Sequence, residues 1–153
     1  MQLLRAVPED APHLTAIAFA AKRHWGYPET WIQHWRDALT ITPDYIAANP
    51  TFVVADERGE TLGFAALRKE AGEWWIDHLW VFPAAMGRGI GRRLFERCEE
   101  EARKAGATFL RIEADPNAES FYSRMGASTV GHVPAPMDAV ERFLPRMEKA
   151  LDL

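Results

Sequence analysis

The sequence predicts a single α/β (α+β) domain over 1–153, one central mixed sheet flanked by helices. Three observations predict it. A strand-like segment followed by a helical one opens the chain. Three short apolar runs separated by turn residues occupy its middle. A glycine-rich loop then leads from the third run into a long helical pattern, after which the pattern returns to strand.

Gln2 to Val7 alternates and suits a first strand. Pro8-Glu9-Asp10 then opens a helix whose Ala11, Leu14, Ile17, Ala18 and Ala21 share one face. Gly26 and Pro28 interrupt it, and Glu29 to Leu39 restarts a helix carrying Trp31, Trp35 and Leu39 at four-residue steps. Thr42-Pro43 caps a further short helix that Asn49-Pro50 stops. Thr51 to Ala55 and Leu62 to Leu67 form an antiparallel hairpin across Asp56–Glu60, and Trp74 to Val81 follows Ala71-Gly72 as a third strand. From Gly89 a helix runs to about Ala105, with Gly106 as its stop, and Thr108 to Ala114 is strand again. Asp115-Pro116 starts a short helix ending before Gly126, and Thr129 to Val133 is strand-like. Phe143 to Leu151 reads equally well as helix or strand.

Composition narrows the function. The chain has 153 residues, long enough to bury a core without disulfides, and is 48% hydrophobic and 26% charged, which is ordinary globular usage. A net charge of -4 argues against nucleic acid as a partner, since duplex binding needs surplus Lys and Arg. The N-terminal stretch has no apolar leader pattern, and no apolar run approaches a membrane span, so a cytoplasmic protein that does not engage a membrane is expected. The single Cys98 sits at the core-facing spacing of its helix with Leu94 and Ala102 and is expected to be an inert buried thiol. His13, His24, His34, His78 and His132 lack metal-ligand spacing, so no metal is expected.

The chemistry concentrates in Val81-Phe82-Pro83-Ala84-Ala85-Met86-Gly87-Arg88-Gly89-Ile90-Gly91-Arg92. Alternating glycines let backbone N–H groups crowd a ligand, and a helix N-terminus adds donors and partial positive charge. Arg88, Arg92 and Arg93 add cations, so the segment reads as an anion cradle suited to a diphosphate. A Walker loop would need Gly-Lys-Ser or Gly-Lys-Thr where Gly91-Arg92-Arg93 stands. A dinucleotide fingerprint starting at Gly87 would need glycine at Arg92.

With these residues in place the chain resembles the GNAT acetyltransferase superfamily. The family signature places Gln or Arg, two residues, Gly, one residue, and Gly or Ala after a strand ending Val-x-Pro. The corresponding residues here are Met86, Gly89 and Gly91 after Val81-Phe82-Pro83. The segment from Asp115 to Ala127, with Asn117, Phe121, Tyr122 and Gly126, is similar to the part of the family that flanks coenzyme A. The resemblance implies a GNAT-like acyl-CoA N-acyltransferase fold, acetyl-CoA as cosubstrate, and direct transfer of acetyl to an amine of a small molecule or a protein. It also implies coenzyme contacts from Leu79, Trp80, Val81, Gly87, Arg88, Gly89, Ile90, Gly91, Arg92, Asn117 and Tyr122, with Tyr122 as acid for the departing thiolate. Oligomeric state is left open, a homodimer included. Met86 stands where the signature has Gln or Arg, which keeps open a second reading, a coenzyme-A-binding module without turnover.

A lysine-like amine with pKa about 10.4 is mostly protonated at neutral pH, whereas a thiol near about 8.5 leaves readily, so a base matters more than an acid. Asp77 shares a strand face with Glu73, Trp75 and Leu79 and falls where the family often places an ionisable group, so it is the candidate base. Its alternatives are a substrate-orienting carboxylate and a structural acceptor. Tyr122 has core packing as its alternative role. Trp25 and Tyr27, flanking Gly26, are candidate substrate contacts, since aromatic faces suit an apolar or cationic amine, whereas the spacing of Trp31 and Trp35 is that of a buried stripe.

Overall fold

The computed structural model describes residues 1–152, so Leu153, the end of the domain expected over 1–153, lies outside the described residues. The chain divides into two units: Met1–Arg68 with Asp77–Cys98, and Lys69–Ile76 with Glu99–Leu153. In the first unit Gln2–Arg5 form β1, and a 3-10 turn at Pro8–Asp10 leads into α1, Ala11–His24. Asp10 closes that turn on itself: its N–H donates to the Val7 carbonyl and its carboxylate accepts from the Val7 N–H, both at 2.9 Å. α1 buries Ala11, Leu14, Ile17, Ala18 and Ala21, the face its spacing predicts. With Ile41, Ile46, Val53 and Phe64, several of these form the hydrophobic core of the unit.

The one helix expected over Glu29 to Leu39 is instead two, α2 at Glu29–His34 and α3 at Arg36–Leu39. The break is at Trp35, with φ -88° and ψ 7°, whose N–H is shared between the carbonyls of Trp31 (3.0 Å) and Ile32 (3.1 Å). Tightening to 3-10 spacing there lets Ile32 and Leu39 take the interior, while Trp31 and Trp35 are only half-buried. α4, Pro43–Ala48, starts where Thr42 Oγ1 accepts from the Tyr45 N–H at 3.0 Å.

β2, Thr51–Ala55, lies antiparallel between β1 and β3, Thr61–Glu70, and every residue of β2 is buried. Asp56 holds the connecting turn, its Oδ1 accepting from the N–H groups of Arg58 and Glu60. β3 runs past the expected Leu67, and Ala71 and Gly72 at φ 51° and 79° turn it back into β4, Glu73–Val81. Two left-handed residues give the tight turn whose twist matches a hairpin. α5, Ile90–Lys104, buries Ile90, Leu94, Phe95, Cys98 and Ala102, as its spacing predicts. It ends on Gly106 at φ 85°, with Gly106 N–H on the Arg103 carbonyl and Ala107 N–H on the Ala102 carbonyl, a Schellman stop.

In the second unit Trp74 and Trp75 of β4 pair in parallel with Leu110 and Arg111 of β5, Phe109–Glu113. α6, Glu119–Arg124, follows a 3-10 turn at Pro116–Ala118, and β6, Ser128–Pro134, comes next. The ambiguous C-terminal segment is β7, Phe143–Ala150, inserted antiparallel between β5 and β6. Pro145 obscures it in sequence because it has no N–H for a ladder. Its carbonyl nevertheless accepts from Ala114 N–H at 2.9 Å, and Pro145 and Met147 are buried while Arg146 is exposed. The strand order is β1-β2-β3-β4-β5-β7-β6, a mixed sheet flanked by helices, as the sequence predicts.

Candidate active site

The glycine loop leaves β4 through a 3-10 turn in which Ala85 N–H bonds to the Phe82 carbonyl and Met86 N–H to that of Pro83. Gly87 and Gly89 both adopt φ 79°, and a Cβ on either would meet nothing within 4 Å. Glycine is there for its left-handed backbone, not for lack of space. The first α5 bond in chain order runs from Arg93 N–H to the Gly89 carbonyl at 3.1 Å, so the N–H groups of Ile90, Gly91 and Arg92 precede any intrahelical acceptor. Ile90 is buried, leaving only its backbone to a ligand. Arg88 and Arg93 reach Met1 (Nη2 to Sδ 3.9 Å, Nη1 to carbonyl 3.4 Å), and Arg92 stands 3.9 Å from Glu96 with both side chains exposed. Three cations around a helix start with unpaired donors fit a coenzyme diphosphate.

β3 supports the helix start from below. A Cβ on Gly63 would lie 3.0 Å from Ile90 Cγ2, 3.0 Å from the Trp80 carbonyl and 3.3 Å from Leu94 Cδ1. The absence of a side chain there lets α5 seat its first turn.

Asp77 sits on the half-buried part of β4 together with Leu79, Trp80 and Val81. Its Oδ2 accepts from the Tyr45 hydroxyl at 2.5 Å and its Oδ1 from Arg68 Nε at 3.2 Å. Both oxygens of the carboxylate are therefore already engaged as acceptors. Burial, reinforced by the neighbouring carboxylate, pushes the Tyr45 phenol far above its usual range, so this hydroxyl stays a donor. His78 packs against the rings of Tyr45 and Phe64 at 5.6 and 5.9 Å, and its Nδ1 accepts from the Trp80 indole N–H at 3.0 Å. Burial lowers the His78 pKa, against the opposing pull of Asp77, 3.9 Å away. An Nδ1 that accepts from an indole carries no proton, so the neutral ring holds its proton on Nε2. Tyr45 and Arg68 were not among the sequence candidates. The tight turn at 71 and 72 sets Arg68 and Asp77 on one hairpin face, so that pair was readable. Tyr45 lies 32 positions away with no local signal.

In the second unit Tyr122 is 6% exposed on α6, its ring 5.1 Å from Phe121 and its carbonyl accepting from Ala127 N–H. Asp115 caps the preceding turn, its Oδ1 accepting from the backbone N–H and the side-chain amide of Asn117 at 2.8 and 3.0 Å. In the first unit, Trp25 is 41% exposed with its ring edge-on to His24 at 5.2 Å. Tyr27, by contrast, joins Trp31 and Trp35, at 6.0 and 5.1 Å. The two aromatic candidates therefore have different environments. Among the described residues no group of three or more His, Cys, Asp or Glu could hold a metal ion, and no helix is long and apolar enough to cross a membrane.

A mixed sheet of this order, carrying a left-handed glycine loop between β4 and α5 whose helix-start donors fit a diphosphate, has the form of a coenzyme-binding domain. The profile of the acetyltransferase (GNAT) family matches residues 13–127, and the chain belongs to that family. It is similar to an IAA acetyltransferase of Azospirillum brasilense, 42% identical over 64 residues, which cover 40% of this chain and 42% of that protein. It is also similar to the blasticidin-S acetyltransferase of Streptomyces morookaense, 35% identical over 103 residues, 63% of this chain and 75% of that one. The match thus spans less than half of the first relative and three quarters of the second. Among solved structures, the GCN5-related N-acetyltransferase of Rhodopseudomonas palustris superposes with a TM-score of 0.80 at 27% identity, covering 98% of this chain and 95% of that one.

Proposed function

We propose that this chain is an acetyl-CoA-dependent N-acetyltransferase of the cytoplasm that passes acetyl directly to an amine of a small molecule or a protein. The observation that carries the reading is the loop from Gly87 to Arg92, whose left-handed glycines and unpaired helix-start donors are built for a diphosphate. Acetyl-CoA, when bound, supplies a thioester carbon open to attack by an amine. The N–H groups of Gly87 through Arg92 and the side chains of Arg88 and Arg92 would hold its diphosphate. The backbone of Leu79, Trp80 and Val81 would align the rest of the coenzyme, and Asn117 and Tyr122 would contribute further contacts to it. Tyr122 would give a proton to the departing sulfur and regain one from solvent.

Asp77 takes the role of a substrate-orienting carboxylate rather than that of base. Tyr45 and Arg68 already donate to both of its oxygens, which fixes the position of the carboxylate for holding the acceptor amine. The amine proton then leaves through water. Coenzyme A thiol release measured over a panel of small amines and peptides tests the reading. Acetyl-CoA-dependent release with at least one acceptor, and an acetylated product by mass, is the expected result. A folded protein that fails to bind coenzyme A would overturn it.

A further inference from the structure

One arrangement of side chains in the first unit already holds a cation. Lys22, near the end of α1, places Nζ 4.2 Å from the Trp35 ring centroid, 5.0 Å from that of Tyr27 and 6.0 Å from that of Trp80. The three rings come from the loop after α1, the break between α2 and α3, and β4. Each is held by something other than the lysine. The Trp80 indole N–H is tied to His78 Nδ1, Tyr27 stacks on Trp31 at 27°, and Trp35 meets Tyr27 edge-on at 84°. Indole and phenol faces carry negative quadrupole charge and attract an ammonium within about 6 Å of the centroid. Lys22, Tyr27, Trp35 and Trp80 are all half-buried, so the cage retains access to solvent.

We propose that this cage binds an ammonium group of the acceptor and that Lys22 is its resident competitor, filling it until a cationic acceptor takes its place. The proposal rests on the acetyltransferase reading for the word acceptor, while the cation site itself stands on the geometry. Attack on a thioester needs a neutral amine, so the caged ammonium is not the reacting group. The substrate class is therefore an amine carrying at least one further cationic centre. A tethered lysine competes at an effective concentration on the order of millimolar, so a simple ammonium ion binds the native protein weakly. A carboxylate drawn to Lys22 would face the negative faces of the same rings, which disfavours an anionic substrate here. The net charge of -4 gathers cations rather than anions around the chain.

The test is a tryptophan-fluorescence or calorimetric titration with choline and with its neutral isostere, in which a tert-butyl group replaces trimethylammonium. Lys22→Met keeps the aliphatic stem and removes the charge. It should bind choline about tenfold more tightly than the native protein does, and about tenfold more tightly than it binds the neutral isostere. Adding Trp35→Leu should abolish the gain. If Lys22→Met does not melt cooperatively, Lys22→Gln carries the same comparison. Choline bound no better than by the native protein, or no better than the isostere, overturns the proposal. In turnover, an alkyl diamine should exceed the matching monoamine in kcat/KM by about tenfold. Equal use of the two overturns the cage as an acceptor site while leaving the transferase standing. Selective choline binding without thiol release from any amine retains the cation site and removes the transferase reading.

Discussion

Both carboxylate oxygens of Asp77 are engaged, by a hydroxyl whose pKa is raised and by a guanidinium. Asp77→Asn keeps an acceptor for Tyr45 and removes the charge facing Arg68. Because the side chains of Arg68 and Asp77 are 37% and 25% exposed, the expected stability loss is modest, about 1 kcal/mol. Turnover should fall with the pH profile unmoved, since an orienting carboxylate sets rate without setting the titration. Loss of the acidic limb of that profile in Asp77→Asn would return the base role to it. His78 makes a separate, signed prediction. Its folded pKa lies below the ordinary value of 6.5, so below that pH the unfolded chain binds the proton more readily. Stability should therefore be lost as pH falls through 6.5 toward the folded pKa, and be unaffected by this group above it. In His78→Gln, which keeps an acceptor for Trp80, the melting temperature should decline less between pH 7 and pH 5 than in the native protein. Parallel melting curves would remove this account. Tyr122→Phe keeps the buried ring and deletes the hydroxyl, so turnover should drop by about tenfold with little change in melting temperature. Unchanged turnover assigns Tyr122 to packing alone.

At the scale of elements, two glycines serve the same loop for opposite reasons. Gly89 has room for a side chain but needs φ 79°, whereas Gly63 has no room, with Ile90 and the Trp80 carbonyl 3.0 Å from a built Cβ. Gly89→Ala should cost about 1 kcal/mol of stability through backbone strain and weaken coenzyme A binding by disturbing the N–H groups proposed to hold it. Gly63→Ala overpacks the contact beneath α5 and should cost about 1–3 kcal/mol. It should weaken coenzyme A binding as well, although Gly63 lies outside the loop. Denaturant midpoints together with calorimetric titration separate the two, and native affinity in Gly63→Ala would show that α5 tolerates the shift. The break at Trp35 is a further element-scale device. The sharing of one N–H between two carbonyls ends α2 and leaves Trp31 and Trp35 half-buried beside Tyr27.

For the whole molecule, a ligand that binds only the folded chain stabilises it by mass action. Coenzyme A at about 100 times its dissociation constant should add about 2.7 kcal/mol, raising the melting temperature in a concentration-dependent way. A melting temperature indifferent to coenzyme A would contradict the proposed cosubstrate.

By itself the sequence determined the elements with strong local signals, although it joined α2 and α3 into one helix. The α1 and α5 faces were readable because helical periodicity lists the buried residues in order. The β2–β3 hairpin and the glycine loop were readable because turn chemistry is local. Tertiary structure alone decided what depends on distant partners. It made Phe143–Ala150 a strand between β5 and β6, since pairing from both sides overrides the propensity of Pro145. It brought Tyr45 to Asp77 across 32 positions, and it closed Tyr27, Trp35 and Trp80 around Lys22. Periodicity reports which way a side chain faces within its own element, but only packing of elements selects what it meets there.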